Sequence, residues 1–159
     1  MHFLDKSLIS LDVEAKDAQE AIRAAGRLLV DSGAAEDSYV ESMLSAFRDK
    51  GPYIVVAPQI ALPHAKAESG VNEASVSFVR LKRPVAFGHP ENDPVKLVFA
   101  LGSSSSSEHI DLLRRLTTLL NEPANIEALK AAQTAEEIGA LLQPSDSEQR
   151  DNPIKEESP

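Results

Sequence analysis

Segments with helical periodicity alternate along this chain with short apolar segments that are typical of strands. Residues 17–33 repeat apolar side chains every three or four positions, which indicates an amphipathic helix. Residues 53–58 (YIVVAP) and 94–102 (PVKLVFALG) are instead almost continuously apolar, which indicates buried strands. Helices interleaved with strands predict an α/β fold, a single domain in which a mixed β-sheet is flanked by helices.

Capping residues bound several of the predicted elements. Asp17 and Glu20 predict the start of the first helix, and Gly33 predicts its end. Thr134 and Glu137 form a second capping pair before the last helix. Further strands are predicted at residues 8–15, 60–65 and 73–81, and further helices at residues 37–51, 106–121, 123–132 and 134–142.

Periodicity also indicates which side chains face the core. The longest helical pattern predicts a buried stripe made by Ile110, Leu113, Leu116 and Leu120, with Leu112 and Leu119 beside it. The alternation in residues 73–81 leaves two inward faces open, namely Ala74, Val76 and Phe78 or Ser75, Ser77 and Val79.

The chain length and the polar C-terminal residues indicate the domain organisation. A chain of 159 residues with 42% apolar residues suits one domain with one core. Beyond residue 142 almost every residue is polar or charged, so burial there cannot offset the ordering entropy. The sequence predicts a folded domain over residues 1–142 and a disordered acidic tail over residues 143–159.

Composition excludes several classes of function. The chain has no cysteine, which excludes disulfides, thiolate metal sites and a cysteine nucleophile. A net charge of -9 argues against nucleic-acid binding, which favours a basic face. Because no signal peptide and no apolar stretch of about 20 residues is visible, the chain is predicted to be cytoplasmic.

Two of the four histidines lie at junctions between predicted elements. His64 follows Pro63 at the end of an extended run, where the proline restrains the backbone. His109 lies in the first turns of the long helix, shortly after the serines of residues 103–107. A helix start with free N–H groups and hydroxyl donors favours an anion such as a phosphoryl group. The alternatives are a packed or solvated His64 and a capped, flexible serine loop.

Motifs for other chemistries are absent from the sequence. There is no P-loop pattern for a nucleotide, no GxGxxG for a dinucleotide and no HExxH for a metal. No cofactor and no metal ligand is therefore predicted.

Two stretches resemble a known family. They are GPYIVVAPQIALPHAKAESGV, which contains His64, and EHIDLL, which contains His109. Together they resemble the enzyme IIA domains of the bacterial phosphoenolpyruvate-dependent sugar phosphotransferase system, of the mannitol/fructose type (type 2). The sequence of the first stretch most resembles that of the ascorbate-specific branch, and the resemblance extends over residues 4–142.

The resemblance implies a role for each matching residue. His64 matches the phosphohistidine, which accepts a phosphoryl group on Nε2 from phospho-HPr and passes it to a cysteine of a IIB partner. His109 matches a second active-site histidine that orients the site, and Arg48 matches an arginine near the phosphate. The resemblance implies the same mixed sheet flanked by helices, only indirect association with a membrane IIC component, and no cofactor.

Three functions follow as alternatives. The first is a sugar-transport phosphocarrier, with ascorbate as the sugar suggested by the wording. The second is a regulatory IIA-like module that signals its phosphorylation state through the same histidine. The third is a metal-dependent hydrolase that uses His64 and His109.

Overall fold

Two long antiparallel strands, β5 and β6, form the centre of a mixed sheet. The computed structural model describes residues 2–66 and 70–142, and within them the sheet has six strands. Two strands pair parallel with the outer edge of β5, one pairs parallel with β6, and the last is an antiparallel edge strand. The strands are β1 (His2–Phe3), β2 (Ile9–Val13), β3 (Val55–Ala57), β4 (Ile60–Ala61), β5 (Ser75–Val85) and β6 (Val95–Gly102). The sheet order is β1-β5-β6-β4-β3, with β2 beside β1 on β5.

Helices cover both faces of this sheet. In the described ranges they are α1 (Ala18–Asp31), α2 (Asp37–Lys50), α3 (Ser106–Leu120), α4 (Pro123–Ala131) and α5 (Ala135–Leu142). The first two pack on one face and bury Ile22, Leu29 and Leu44, among others. The last three pack on the opposite face around the stacked rings of Phe78 and Phe99. The predicted mixed sheet flanked by helices is confirmed.

Both candidate faces of β5 are buried. Val76 and Phe78 lie in the cluster beneath α3, α4 and α5. Val79 lies in the cluster beneath α1 and α2, and the Ser77 hydroxyl on that side donates to the carbonyl of Ala25 at 2.8 Å. Because helices cover both faces, alternation alone could not select one of them.

The prediction of one continuous buried strand over residues 53–58 is wrong. Pro52–Ile54 forms a 3-10 turn, and only Val55–Ala57 is extended. Val56 is 52% exposed, because β3 is an edge strand that pairs with β4 alone. The β-branched composition predicted extended backbone correctly for β3 but could not show that this strand lies at the edge.

The predicted stripe of the long helix is also partly wrong. Ile110 is 52% exposed, whereas Leu112, Leu116 and Leu119 are the buried residues of α3. Two leucine-rich stripes lie side by side on this helix, and packing against the sheet selected the one that excludes Ile110.

The predicted helix ends are confirmed. The amide of Glu20 donates to the Asp17 carboxylate at 2.9 Å, and Gly33 follows the end of α1 with a φ of 86°. The amide of Glu137 donates to the Thr134 hydroxyl at 3.2 Å. These local hydrogen bonds satisfy amides that the helix itself leaves free.

The predicted disordered tail, residues 143–159, lies outside the described residues, and the domain boundary at residue 142 stays a prediction. Within residues 2–66 and 70–142, no helix combines the length and hydropathy that a membrane span requires.

The burial of α3 gives a direct test of this packing. Leu112→Ala removes a fully buried side chain and should lower the free energy of unfolding by about 2–5 kcal/mol. Ile110→Ala, on the exposed side, should change it by less than about 0.5 kcal/mol. Urea unfolding of both variants measures the difference. A larger loss for Ile110→Ala than for Leu112→Ala would restore the stripe expected from the sequence.

Candidate active site

His64 lies just beyond β4, where the backbone is held on several sides. The amide of Leu62 donates to the carbonyl of Ile54 at 2.8 Å, and the amide of Leu101 donates to the carbonyl of Pro63 at 3.0 Å. The half-buried imidazole of His64 has its Nδ1 atom 2.8 Å from the carbonyl oxygen of Leu62. A carbonyl only accepts, so Nδ1 carries the proton of this bond. In the neutral ring, Nε2 therefore has the free lone pair.

His109 contacts the same site from the first turns of α3. The amide of His109 donates to the carbonyl of Ser105 at 3.0 Å, and the Ser105 hydroxyl caps the helix by accepting from the amide of Glu108. The ring centroids of His109 and His64 are 5.5 Å apart. Burial lowers the pKa of His109 below its ordinary value of 6.5, and the nearby charge of His64 lowers it further. His109 is thus held towards its neutral form.

A hydrogen-bonded serine loop precedes α3. The amide and the hydroxyl of Ser104 donate to the carboxylate of Glu108 at 3.1 Å and 2.6 Å. These two bonds hold the pKa of Glu108 below its usual range. Of the serines that the sequence offered as caps, Ser105 is the one that forms the N-cap bond.

Tyr53 is the third ring of the site. The rings of Tyr53 and His64 form a T-shaped pair with their centroids 5.7 Å apart, and the Lys50 ammonium lies 5.7 Å from the centroid of the Tyr53 ring. Tyr53 is 40% exposed, and partial burial raises the pKa of its hydroxyl. The 3-10 turn that interrupts the expected strand is the turn that carries this ring to His64.

The two histidines line one open cavity of about 770 Å³. It also presents two cations, Lys50 and Lys66, and one carboxylate, Asp49. Hydroxyl groups and apolar surface complete the wall, with Ser42, Ser45, Ala46, Tyr53, Ala65, Ser106 and Ile110. The chain as a whole carries a net charge of -9, so two lysines at this cavity provide local positive charge in an acidic protein.

Arg48 does not line this cavity. It lies on the exposed side of α2, where its guanidinium donates to the side-chain oxygen of Gln19 at 3.2 Å. The two histidines predicted from the sequence are thus brought together, and the predicted arginine contacts another residue.

His2 and His89 lie away from the cavity. The ring nitrogens of His2 lie beside the carboxylates of Asp5 and Glu73, and Nδ1 of His89 accepts from two amides of its own loop. In residues 2–66 and 70–142, no group of three or more histidine, aspartate or glutamate side chains is placed to hold a metal ion.

Several residues near the two histidines were not predicted as site residues from the sequence. Lys50, Lys66 and Tyr53 line the cavity, and the hydroxyl of Tyr39 accepts from the amide of Ala65 at 3.0 Å. Lys66 could have been found, because it lies two positions after His64. Nothing local in the sequence distinguishes Tyr39 from its buried neighbours.

The fold and the cavity define a small α/β protein with a paired-histidine site suited to nucleophilic group transfer. The family model described as "Phosphoenolpyruvate-dependent sugar phosphotransferase system, EIIA 2" matches residues 2–144. The chain belongs to this EIIA 2 family, which is the family that its two histidine motifs resemble.

Individual relatives agree with this assignment. The chain is 33% identical over 139 residues to the ascorbate-specific PTS system EIIA component of Salmonella typhimurium, covering 87% of this chain and 90% of that protein. It matches the mannitol-specific cryptic enzyme IIA CmtB of Escherichia coli with a TM-score of 0.78 and 30% identity, covering 87% and 93%. It also matches a structure of Escherichia coli enzyme IIAMtl in complex with phosphorylated enzyme IIBMtl, with a TM-score of 0.77 and 31% identity, covering 88% and 97%.

The lowered pKa of His109 gives a test by titration. An NMR titration of the histidine ring signals should give His109 a pKa below 6.5, and His64→Gln should raise it without restoring it fully, because burial is the larger cause. The unfolded chain binds this proton more readily, so stability should rise with pH across the window between the lowered pKa and 6.5. A His109 pKa above 6.5 would contradict this description of the site.

Proposed function

We propose that this chain is a phosphocarrier, with His64 as the residue that is phosphorylated. The supporting observation is the bond from Nδ1 of His64 to the carbonyl of Leu62, which leaves Nε2 as the nucleophilic nitrogen at an open cavity. The donor is the phosphohistidine of HPr, and the acceptor is a cysteine of a IIB protein. The second partner is supported by the similar complex of IIAMtl with phosphorylated IIBMtl.

The transfer is a displacement at phosphorus. The Nε2 lone pair of His64 forms the new P–N bond while the P–N bond of the donor breaks, and the donor imidazole keeps the electron pair and takes up a proton from solvent. The phosphorylated His64 ring retains its proton on Nδ1, bonded to Leu62, which makes the ring a good leaving group. A cysteine thiolate then attacks phosphorus, and His64 returns to the neutral ring. Neither a metal nor a nucleotide is needed, because this chemistry depends on positioning and charge.

His109 orients the phosphoryl group in this proposal. Its ring lies 5.5 Å from that of His64, so an N–H of the neutral imidazole can donate to an oxygen of a phosphoryl group on Nε2. The lowered pKa of His109 favours its neutral form, and a neutral imidazole still has one N–H to donate.

Cations supply the remaining charge compensation. Lys50 and Lys66 line the cavity, and their ammonium groups can approach the phosphoryl oxygens directly. Arg48 contacts Gln19, so its predicted contact with the phosphate requires this guanidinium to release Gln19 and rotate. A contact between Arg48 and the phosphoryl group therefore stays a prediction, and we expect it to contribute less than the two lysines.

The surroundings of the site fit weak, fast encounters with protein partners. Tyr53 and Ile110 are exposed apolar side chains at the cavity, and the net charge of -9 complements a basic face on HPr. The membrane IIC component is contacted only through IIB, and the chain acts in the cytoplasm without binding nucleic acid.

We propose ascorbate as the sugar of the system, because the relative from Salmonella typhimurium is named ascorbate-specific. The name of this relative concerns a specific sugar system, which favours transport over the regulatory module. No metal-binding group among the described residues supports the hydrolase alternative.

Phosphorylation by the upstream proteins tests this function. Intact mass should rise by about 80 Da, one phosphoryl group, after incubation with phosphoenolpyruvate, enzyme I and HPr. His64→Ala should abolish the gain, and His109→Ala should leave a slow or less transferable phospho-form. No gain for the wild-type chain beside active upstream proteins would refute the phosphocarrier assignment.

The lysines are tested in the same assay. Replacing Lys50 and Lys66 together by glutamine should slow acceptance by roughly tenfold, an effect that salt should reduce. Lys82→Gln is the matched control, since this exposed lysine lies beside Glu14 and away from the cavity. Equal rates for the double variant and the control would remove the lysines from the site.

A further inference from the structure

The hydroxyl of Tyr39 bridges two distant parts of the backbone next to His64. Tyr39 is 1% exposed and lies in the first turn of α2. Its hydroxyl donates to the carbonyl of Leu101 at 2.5 Å and accepts from the amide of Ala65 at 3.0 Å. Because the Leu101 carbonyl can only accept, the direction of both bonds is determined.

These bonds complete a ring of contacts around His64. The pairing of β4 with β6 ends at Ala61, and the amide of Leu101 then continues it by donating to the carbonyl of Pro63. On the other side of His64, the amide of Ala65 donates to the Tyr39 hydroxyl, which in turn donates to the Leu101 carbonyl. The Tyr39 hydroxyl is inserted between them. Leu101 thereby holds the residue before His64 directly and the residue after it through Tyr39.

We propose that Tyr39 is a positioning residue for phosphoryl transfer, whose hydroxyl fixes the backbone after His64 so that Nδ1 stays on Leu62 and Nε2 faces the cavity. This inference rests on the proposed function. Tyr39 does not line the cavity, so it acts through the backbone and not on the phosphoryl group.

The chemistry of the phenol suits this role. Burial raises the pKa of Tyr39 to about 12, so the hydroxyl keeps its proton and donates throughout the physiological range. A phenylalanine would fill nearly the same space and support the same apolar packing. A phenylalanine would lack only the hydroxyl, and the Ala65 amide and the Leu101 carbonyl would each lose a hydrogen-bond partner.

Tyr39→Phe tests the bridge with the ring retained. In the full-length protein, hydrogen exchange at the Ala65 amide should be slow in the wild type and clearly faster in the variant. The ¹⁵N signals of His64 should change from the Nδ1–H tautomer towards a mixture. With phospho-HPr as substrate, kcat should fall about tenfold, since misplaced reacting groups react more slowly. KM should not change, because the buried Tyr39 does not touch the partner.

Val40→Ala is the matched control. Val40 is the next residue of α2 and is 2% exposed, so its truncation weakens the core without removing the hydroxyl. It should lower the melting temperature while leaving kcat, Ala65 exchange and the His64 tautomer as in the wild type. A loss of kcat in Val40→Ala as large as in Tyr39→Phe would reduce the effect of Tyr39 to general stability and overturn the inference.

Other outcomes also decide the matter. Fast exchange of Ala65 in the wild type would overturn the inference even if Tyr39→Phe does not fold. A wild-type kcat and tautomer in Tyr39→Phe would do the same. If the wild-type chain accepts no phosphoryl group, the proposed function fails. The positioning of His64 is then judged by the tautomer, where a change in Tyr39→Phe supports it and no change refutes it.

Discussion

The hydrogen bond from Nδ1 of His64 to the carbonyl of Leu62 determines what this site can do. It selects which ring nitrogen keeps its proton and which one is free to react. The bond forms because the chain turns immediately after β4, where Leu62 and Pro63 are still held by Ile54 and Leu101. A two-residue strand at the side of β6 is thus sufficient to aim one imidazole, provided that the residues after it are held as firmly as those before it.

The site lies where both helical layers meet the same end of the sheet. The end of α2 and the following turn contribute Lys50 and Tyr53, while α3 from the opposite layer contributes His109. Since α3 begins shortly after β6, the short serine loop fixes the distance between the strand end and the helix start. Two separate apolar cores therefore support one cavity, and the residues proposed to carry the chemistry line that cavity.

Much of this could be predicted from the sequence, because the relevant interactions are local. The caps at Asp17, Gly33 and Thr134 each involve only residues a few positions away in the sequence. The two histidine motifs carry the family resemblance. The prediction for residues 53–58 missed a local 3-10 turn, and the other failures involve contacts between distant segments. The exposure of Ile110 depends on how α3 packs, and the partner of Tyr39 at Leu101 is 62 residues away. Periodicity reports that a residue faces inward and does not report which polar atom it meets there.

Identifying the phosphorylated nitrogen is the most direct test of the role proposed for His64. Long-range ¹H–¹⁵N NMR of the ¹⁵N-labelled protein, recorded after phosphorylation by HPr, identifies both the histidine and the ring atom that carry the phosphoryl group. The Leu62 bond predicts phosphate on Nε2 of His64, with a proton retained on Nδ1. Phosphate on Nδ1 of His64, or on His109 with His64 unmodified, would contradict the account.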